Sequence, residues 1–167
     1  MQPPPPDAPD GLVHSPWTKF CGHDRNDPGD KEVCLTVKEA RLATGQFVSG
    51  AALIERAGEE KKLLRVTLPL AMQLMPGARV FIDGDVPRTG PYVICLPNGC
   101  MADFDVNADF IGKLKQGQYL HLQGTEAAGS LASYLLPLGD FAKAFDGPAT
   151  DPKQFERDQE RLRLTPR

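Results

Sequence analysis

The sequence lacks a cationic excess. Its 22 acidic residues outnumber 19 basic ones, for a formal net charge of -3 over 167 residues. The Lys and Arg side chains are scattered, so no basic field exists to hold a phosphate backbone, and no nucleic acid partner is expected. Long apolar runs are missing as well. The richest stretch, Leu63 to Met75, is interrupted by Arg65 and Gln73 and falls short of the roughly 18 residues that a membrane span needs, so no transmembrane segment is expected. The start, MQPPPPDAPDG, has neither a charged n-region nor an apolar h-region, so an export signal, if one is used, is not in this chain.

Catalytic signatures are equally sparse. No serine lies in a G-x-S-x-G elbow, no glycine-rich phosphate loop follows a strand, and no C-x-x-C is present. The only histidines are His14 in the proline-rich start, His23 in a turn-forming segment and His121 beside Tyr119 in an alternating run. Such a pattern suits a half-buried structural imidazole better than a ligand or a base. No catalytic residue, cofactor-binding residue or metal ligand is expected, and no cofactor.

What remains is a series of short apolar runs separated by Gly, Pro, Asn and Asp. WTKFC, EVCLTVKEA, the two halves of FVSGAALIERAGEEKKLLRVTLPL, ARVFI, GPYVICL, GCMADFDV, QYLHLQG and SLASYLLPL read as strands. The charged quartet Glu59 to Lys62 reads as the solvated tip of a hairpin. In NADFIGKLKQG the period changes: Phe110, Ile111 and Leu114 form one side of a short helix, with Asn107 positioned to cap its start and Gly117 to end it. GDFAKAF reads as one further helical turn. Many short strands without crossover helices predict a mostly β, single-domain, β-sandwich-like fold with one or two short helices. Composition divides the chain into a proline-rich leader over 1–16, a folded domain over 17–147 and a charged tail over 148–167.

Cysteine occurs four times, as Cys21, Cys34, Cys95 and Cys100, in two local pairs that each bracket a turn. These spacings suit two disulfides, Cys21 with Cys34 and Cys95 with Cys100. The rival readings are a metal site built from all four thiolates and free buried thiols. The disulfide reading requires an oxidising compartment and hence export. The run DFDVNAD places Asp103, Asp105, Asn107 and Asp109 at the offsets that open a calcium loop, but Ala108 and Leu114 stand where glycine and a bidentate glutamate are required. Asp103 and Asp105 are instead expected on the solvent face of a strand.

The order WTKFC, LLRVTLPLAMQLMPGARVFIDG and YVICLPNGCMADF resembles the bacterial invasion-associated locus B family over Trp17 to Gly147. The residues carrying the likeness are Trp17 and Cys21, then Pro69, Pro76, Gly77, Asp83 and Gly84, and the turn bounded by Cys95, Gly99 and Cys100. The resemblance implies a compact mostly-β protein of the periplasm or outer membrane, exported by a signal peptide absent from this chain. It supplies no catalytic residue set. The implied function is a non-catalytic binding or structural protein of the bacterial envelope, in some relatives associated with host-cell invasion. Its expected partner is an envelope or host-surface protein or glycan. The alternatives are an envelope hydrolase using the carboxylates of Asp103 and Asp105, and a periplasmic small-ligand carrier.

Overall fold

The computed structural model describes residues 11–23, 29, 31–151 and 153. Among them are eleven strands and two short helices. β1 (Val13–His14), β2 (Thr18–His23), β3 (Glu32–Arg41), β4 (Phe47–Arg56), β5 (Lys62–Leu68), β8 (Tyr92–Leu96) and β9 (Gly99–Val106) form one antiparallel sheet in the order β1-β3-β4-β5-β9-β8. β2 lies beside β1 on the free edge of β3. A second antiparallel sheet of four strands runs β11 (Leu131–Pro137), β10 (Tyr119–Thr125), β6 (Ala78–Ile82) and β7 (Arg88–Gly90).

Alternation along the strands sets which residues meet. In register, Leu53 of β4 lies between Thr36 of β3 and Leu64 of β5, and Leu64 in turn faces Phe104 of β9. One step along, Ala51 pairs with Val66 and Val66 with Ala102. Those side chains are buried against Ala78, Val80, Ile82, Leu120, Leu122 and Leu136 of the second sheet. A one-residue slip would turn this whole set to solvent, so the pattern fixes the register. Three polar side chains also point inward, Thr36, Lys38 and Ser49. Lys38 donates its ammonium to the Ser15 carbonyl.

Helix α1 (Ala108–Gln116) starts as the sequence predicts, with the Phe110 N–H donating to Asn107 Oδ1 at 3.0 Å, and buries Ile111 and Leu114. Its end differs from expectation. Gly117 has extended backbone, φ -77° and ψ 168°, so no left-handed cap is formed. Glycine is needed there because a Cβ would lie 3.0 Å from Lys113 O and press into Ile82 Cγ2. Helix α2 (Phe141–Asp146) buries Phe141, whose ring meets the Trp17 indole edge-on at 5.1 Å.

The folded unit begins before Trp17. Leu12 is buried, β1 pairs with the end of β3 through Val13 and Arg41, and Ser15 Oγ accepts from the Glu39 N–H at 2.9 Å. Proline and histidine hide these contacts from a reading based on composition. Trp17 is held by its N–H to Asp140 Oδ2 at 3.0 Å and by its indole N–H to the Pro137 carbonyl at 2.8 Å. The Thr150 N–H reaches the Lys19 carbonyl on β2 at 2.7 Å. Both described ends of the chain therefore lie on the β1/β2 edge. The PPPP run and the tail from residue 154 onward lie outside the described residues.

Candidate functional site

Asp103 and Asp105 lie on β9 with their side chains on the face turned away from the second sheet, since Ala102, Phe104 and Val106 take the inward positions. Arg65 is the cross-strand partner of Asp103. Its Nε and Nη2 donate to the two carboxylate oxygens at 2.8 and 2.9 Å. This forked pair raises the Arg65 pKa, first through the hydrogen bond and then through the carboxylate's charge, with burial opposing. Asp103 is thereby committed to a strut between strands. Asp105 stands opposite Leu63, and its backbone carbonyl accepts from Arg88 Nη2 at 2.6 Å. Asn107 and Asp109 are used at the start of α1. The calcium-like run is thus divided between a strand face and a helix start.

The cysteines are joined within their local pairs. Cys21 on β2 and Cys34 on β3 are register partners bonded at 2.01 Å, and Cys95 on β8 and Cys100 on β9 are register partners bonded at 2.00 Å. Their surroundings differ. Cys100 is buried at 3% exposure, in a turn where Gly99 has φ +151° and packs against Leu68 and Thr67. Cys21 and Cys34 are half-buried, with exposed Glu32 beside them. Glu32 Oε1 lies 3.8 Å from Cys34 Sγ.

His121 stacks on Phe81, ring centroids 4.4 Å apart and 11° from parallel, and meets Tyr119 edge-on at 6.5 Å. Burial lowers its pKa, partly offset by the Asp83 carboxylate. Asp83 carries a further role that spacing does not reveal. At φ +49° it turns its carboxylate onto the N–H groups of Gln118 and Tyr119, each 3.0 Å from one of its oxygens. This ties the turn after β6 to the start of β10.

A groove of about 220 Å³ is lined by Phe81, Ile82, Asp85, Arg88, Phe110 and Lys113. That is below the roughly 300 Å³ at which small-molecule pockets begin. Apolar side chains are exposed elsewhere. Edge strand β8 exposes Val93, Ile94 and Leu96 at 50%, 51% and 39%, and none of its five residues is charged. Across the outer face of the same sheet, Phe20, Leu35, Ile54 and Leu63 line up in one register row and are half-buried. The sequence carried a signal for β8 that strand reading passes over: VICL does not alternate, so a strand in it must show apolar side chains on both faces.

Two antiparallel sheets packed face to face, with a cross-strand disulfide in each of two hairpins, define a small disulfide-linked β-sandwich. Within that class, the chain belongs to the Invasion associated locus B (IalB) protein family, whose profile matches residues 17–149. Invasion protein B homologs from Brucella abortus strain 2308 and from Brucella abortus biovar 1 strain 9-941 are each 27% identical to it over 136 residues, which span 80% of this chain and 76% of theirs. The crystal structure of invasion associated protein b from Bartonella henselae superimposes with a TM-score of 0.67, covering 80% of this chain and 92% of that one. At 17% identity this likeness is one of fold.

Proposed function

We propose that the protein is an exported, non-catalytic binding protein of the bacterial envelope, and that it captures a protein partner through the β8 edge. The observation carrying this reading is the exposure of Val93, Ile94 and Leu96 on an uncharged edge strand. Natural sheets protect such edges with charge, bulges or cover, because unpaired backbone groups and apolar side chains recruit another strand; β8 has a register shift between Tyr92 and Ile94 but no charge, and its apolar side chains stay exposed. Here the edge is kept in shape by the Cys95–Cys100 bond. The family's association with invasion, together with the local disulfides, supports an extracytoplasmic setting. Some members' link to host entry makes a host-surface protein one candidate partner, and a neighbouring envelope protein another.

The test is capture from an envelope fraction by immobilised oxidised protein, with Val93→Lys/Ile94→Lys as the control. Retention of one partner by the native protein and its loss from the variant, with the fold intact by circular dichroism, is the expected result. Equal capture by both would move the binding surface away from β8. Turnover of an envelope substrate that Asp103→Asn or Asp105→Asn abolishes would replace the reading with a hydrolase.

A further inference from the structure

From the group formed by Cys21, Cys34 and Glu32, we infer that the β2–β3 hairpin is a redox-gated site for a divalent zinc-like cation, closed while the disulfide is intact and opened by a dithiol reductant. Among the described residues, this is the one cluster of three metal-ligating side chains whose ligand atoms all fall within 4.8 Å of one another. A tetrahedral zinc ion, with sulfur at about 2.3 Å and oxygen at about 2.1 Å, holds its ligand atoms roughly 3.6–3.8 Å apart. Glu32 Oε1 and Cys34 Sγ already stand 3.8 Å apart. Only the two sulfurs, bonded at 2.01 Å, are too close to share a metal. Breaking their bond supplies the missing separation.

The ladder explains the preassembly. Cys21 and Cys34 are directly opposed, and Glu32 lies two residues from Cys34, on the same side of β3. Cys21 and Cys34 are half-buried and Glu32 is exposed, so reductant and cation can both reach them. The Cys95–Cys100 pair forms no comparable group among the described residues, and Cys100 is buried.

The chemistry closes in two steps. One thiolate of the dithiol attacks a sulfur of the Cys21–Cys34 bond, forming a mixed disulfide and expelling the other cysteine as thiolate. The second thiol of the reductant then displaces the remaining cysteine, so two electrons reach the pair and the reductant leaves as its own disulfide. The two cysteine thiols lose their two protons as the divalent cation binds, Glu32 supplies the third ligand and water the fourth.

The experiment uses the full-length chain carrying Cys95→Ser/Cys100→Ser, so that one disulfide remains, in oxidised form and after treatment with a non-chelating phosphine. Zinc is titrated against a chromophoric chelator, and cobalt is used to detect thiolate-to-metal charge-transfer absorption. One zinc per reduced chain, none per oxidised chain, cobalt–thiolate absorption, and at least tenfold weaker binding in Glu32→Gln are expected. A second readout is the thiol–disulfide equilibrium of the same pair against a dithiol buffer: added zinc should shift it towards the reduced form, and the shift should be smaller in Glu32→Gln. No zinc uptake on reduction, or uptake that Glu32→Gln leaves unchanged, overturns the site. That second result is also what two cysteines in an unfolded reduced chain would give.

Discussion

Arg65 and Asp103, cross-strand partners on β5 and β9, are joined by two parallel hydrogen bonds of 2.8 and 2.9 Å on the open face of the seven-stranded sheet. The pair occupies the position at which a carboxylate-based hydrolase would place its acidic groups. Its geometry explains Asp103 without chemistry: an acidic side chain gripped at both oxygens braces two central strands.

Replacing Asp103 by Asn should therefore cost stability and nothing else. The Arg65 side chain is 39% exposed and that of Asp103 20%, so solvent screening holds the loss to about 1 kcal/mol. Urea denaturation of the variant against the native protein measures it. Partner capture should be unchanged.

The two disulfides should separate by loop length. Cys21 and Cys34 are 13 residues apart and Cys95 and Cys100 are 5 apart, for chain-entropy contributions of about 3 and about 2 kcal/mol. Non-reducing peptide mapping should recover these two pairs and no cross-pair. Denaturation of Cys21→Ala/Cys34→Ala should then show the larger loss.

Lys38 gives the protein an alkaline signature. Burial lowers its pKa from the usual lysine value, with Asp140 opposing. Between the folded value and about 10.4 the unfolded chain binds more protons than the folded one, so stability rises with pH across that window. Below the window the full cost of burying the ammonium is present. Tyr92 and Tyr134, raised by burial, act oppositely above about pH 10, where unfolding releases their protons. The difference between native protein and Lys38→Met in urea midpoint, followed from pH 7 to 10, should shrink as pH rises.

Gly99→Ala should damage the Cys95–Cys100 hairpin. At φ +151° a Cβ would overlap the Leu68 carbonyl oxygen and lie 2.9 Å from Thr67 Cγ2. A loss of about 1–3 kcal/mol is expected, and thermal unfolding reads it. Gly58→Ala, with φ +82° but open space around its Cβ, should cost less.

Much of this fold is legible in the residues. Alternation in LRVTL, ARVFI and YLHLQG marks inward and outward positions, because period two follows from the pleat. The Asn107 cap is readable because its side-chain oxygen acts within one turn. Contacts between distant segments are not readable in that way. Nothing near Arg65 announces Asp103, nothing near Asp83 announces Gln118, and Trp17 depends on Pro137 and Asp140, more than a hundred residues further along. Lys38 occupies an inward position that charge alone would assign to solvent. β1 and β7, at two and three residues, are too short to show a period at all. Of the candidate sites, the cysteine pairs were visible through local spacing. The nearness of Glu32 to Cys34 follows from EVCLTVKEA as a strand, since two residues along a strand return a side chain to the same side, but their meeting with Cys21 depends on the register of β2 against β3.

Trp17 and Thr150 secure the two ends of the described chain to the same side of the molecule, at the β1/β2 border, while β8 closes the opposite border of that sheet. Five strand spacings separate them, about 24 Å. A tether placed directly at either described end would stand on the flank opposite the apolar β8 border. From such a tether the β8 border would face outward, whichever of the two ends carried it.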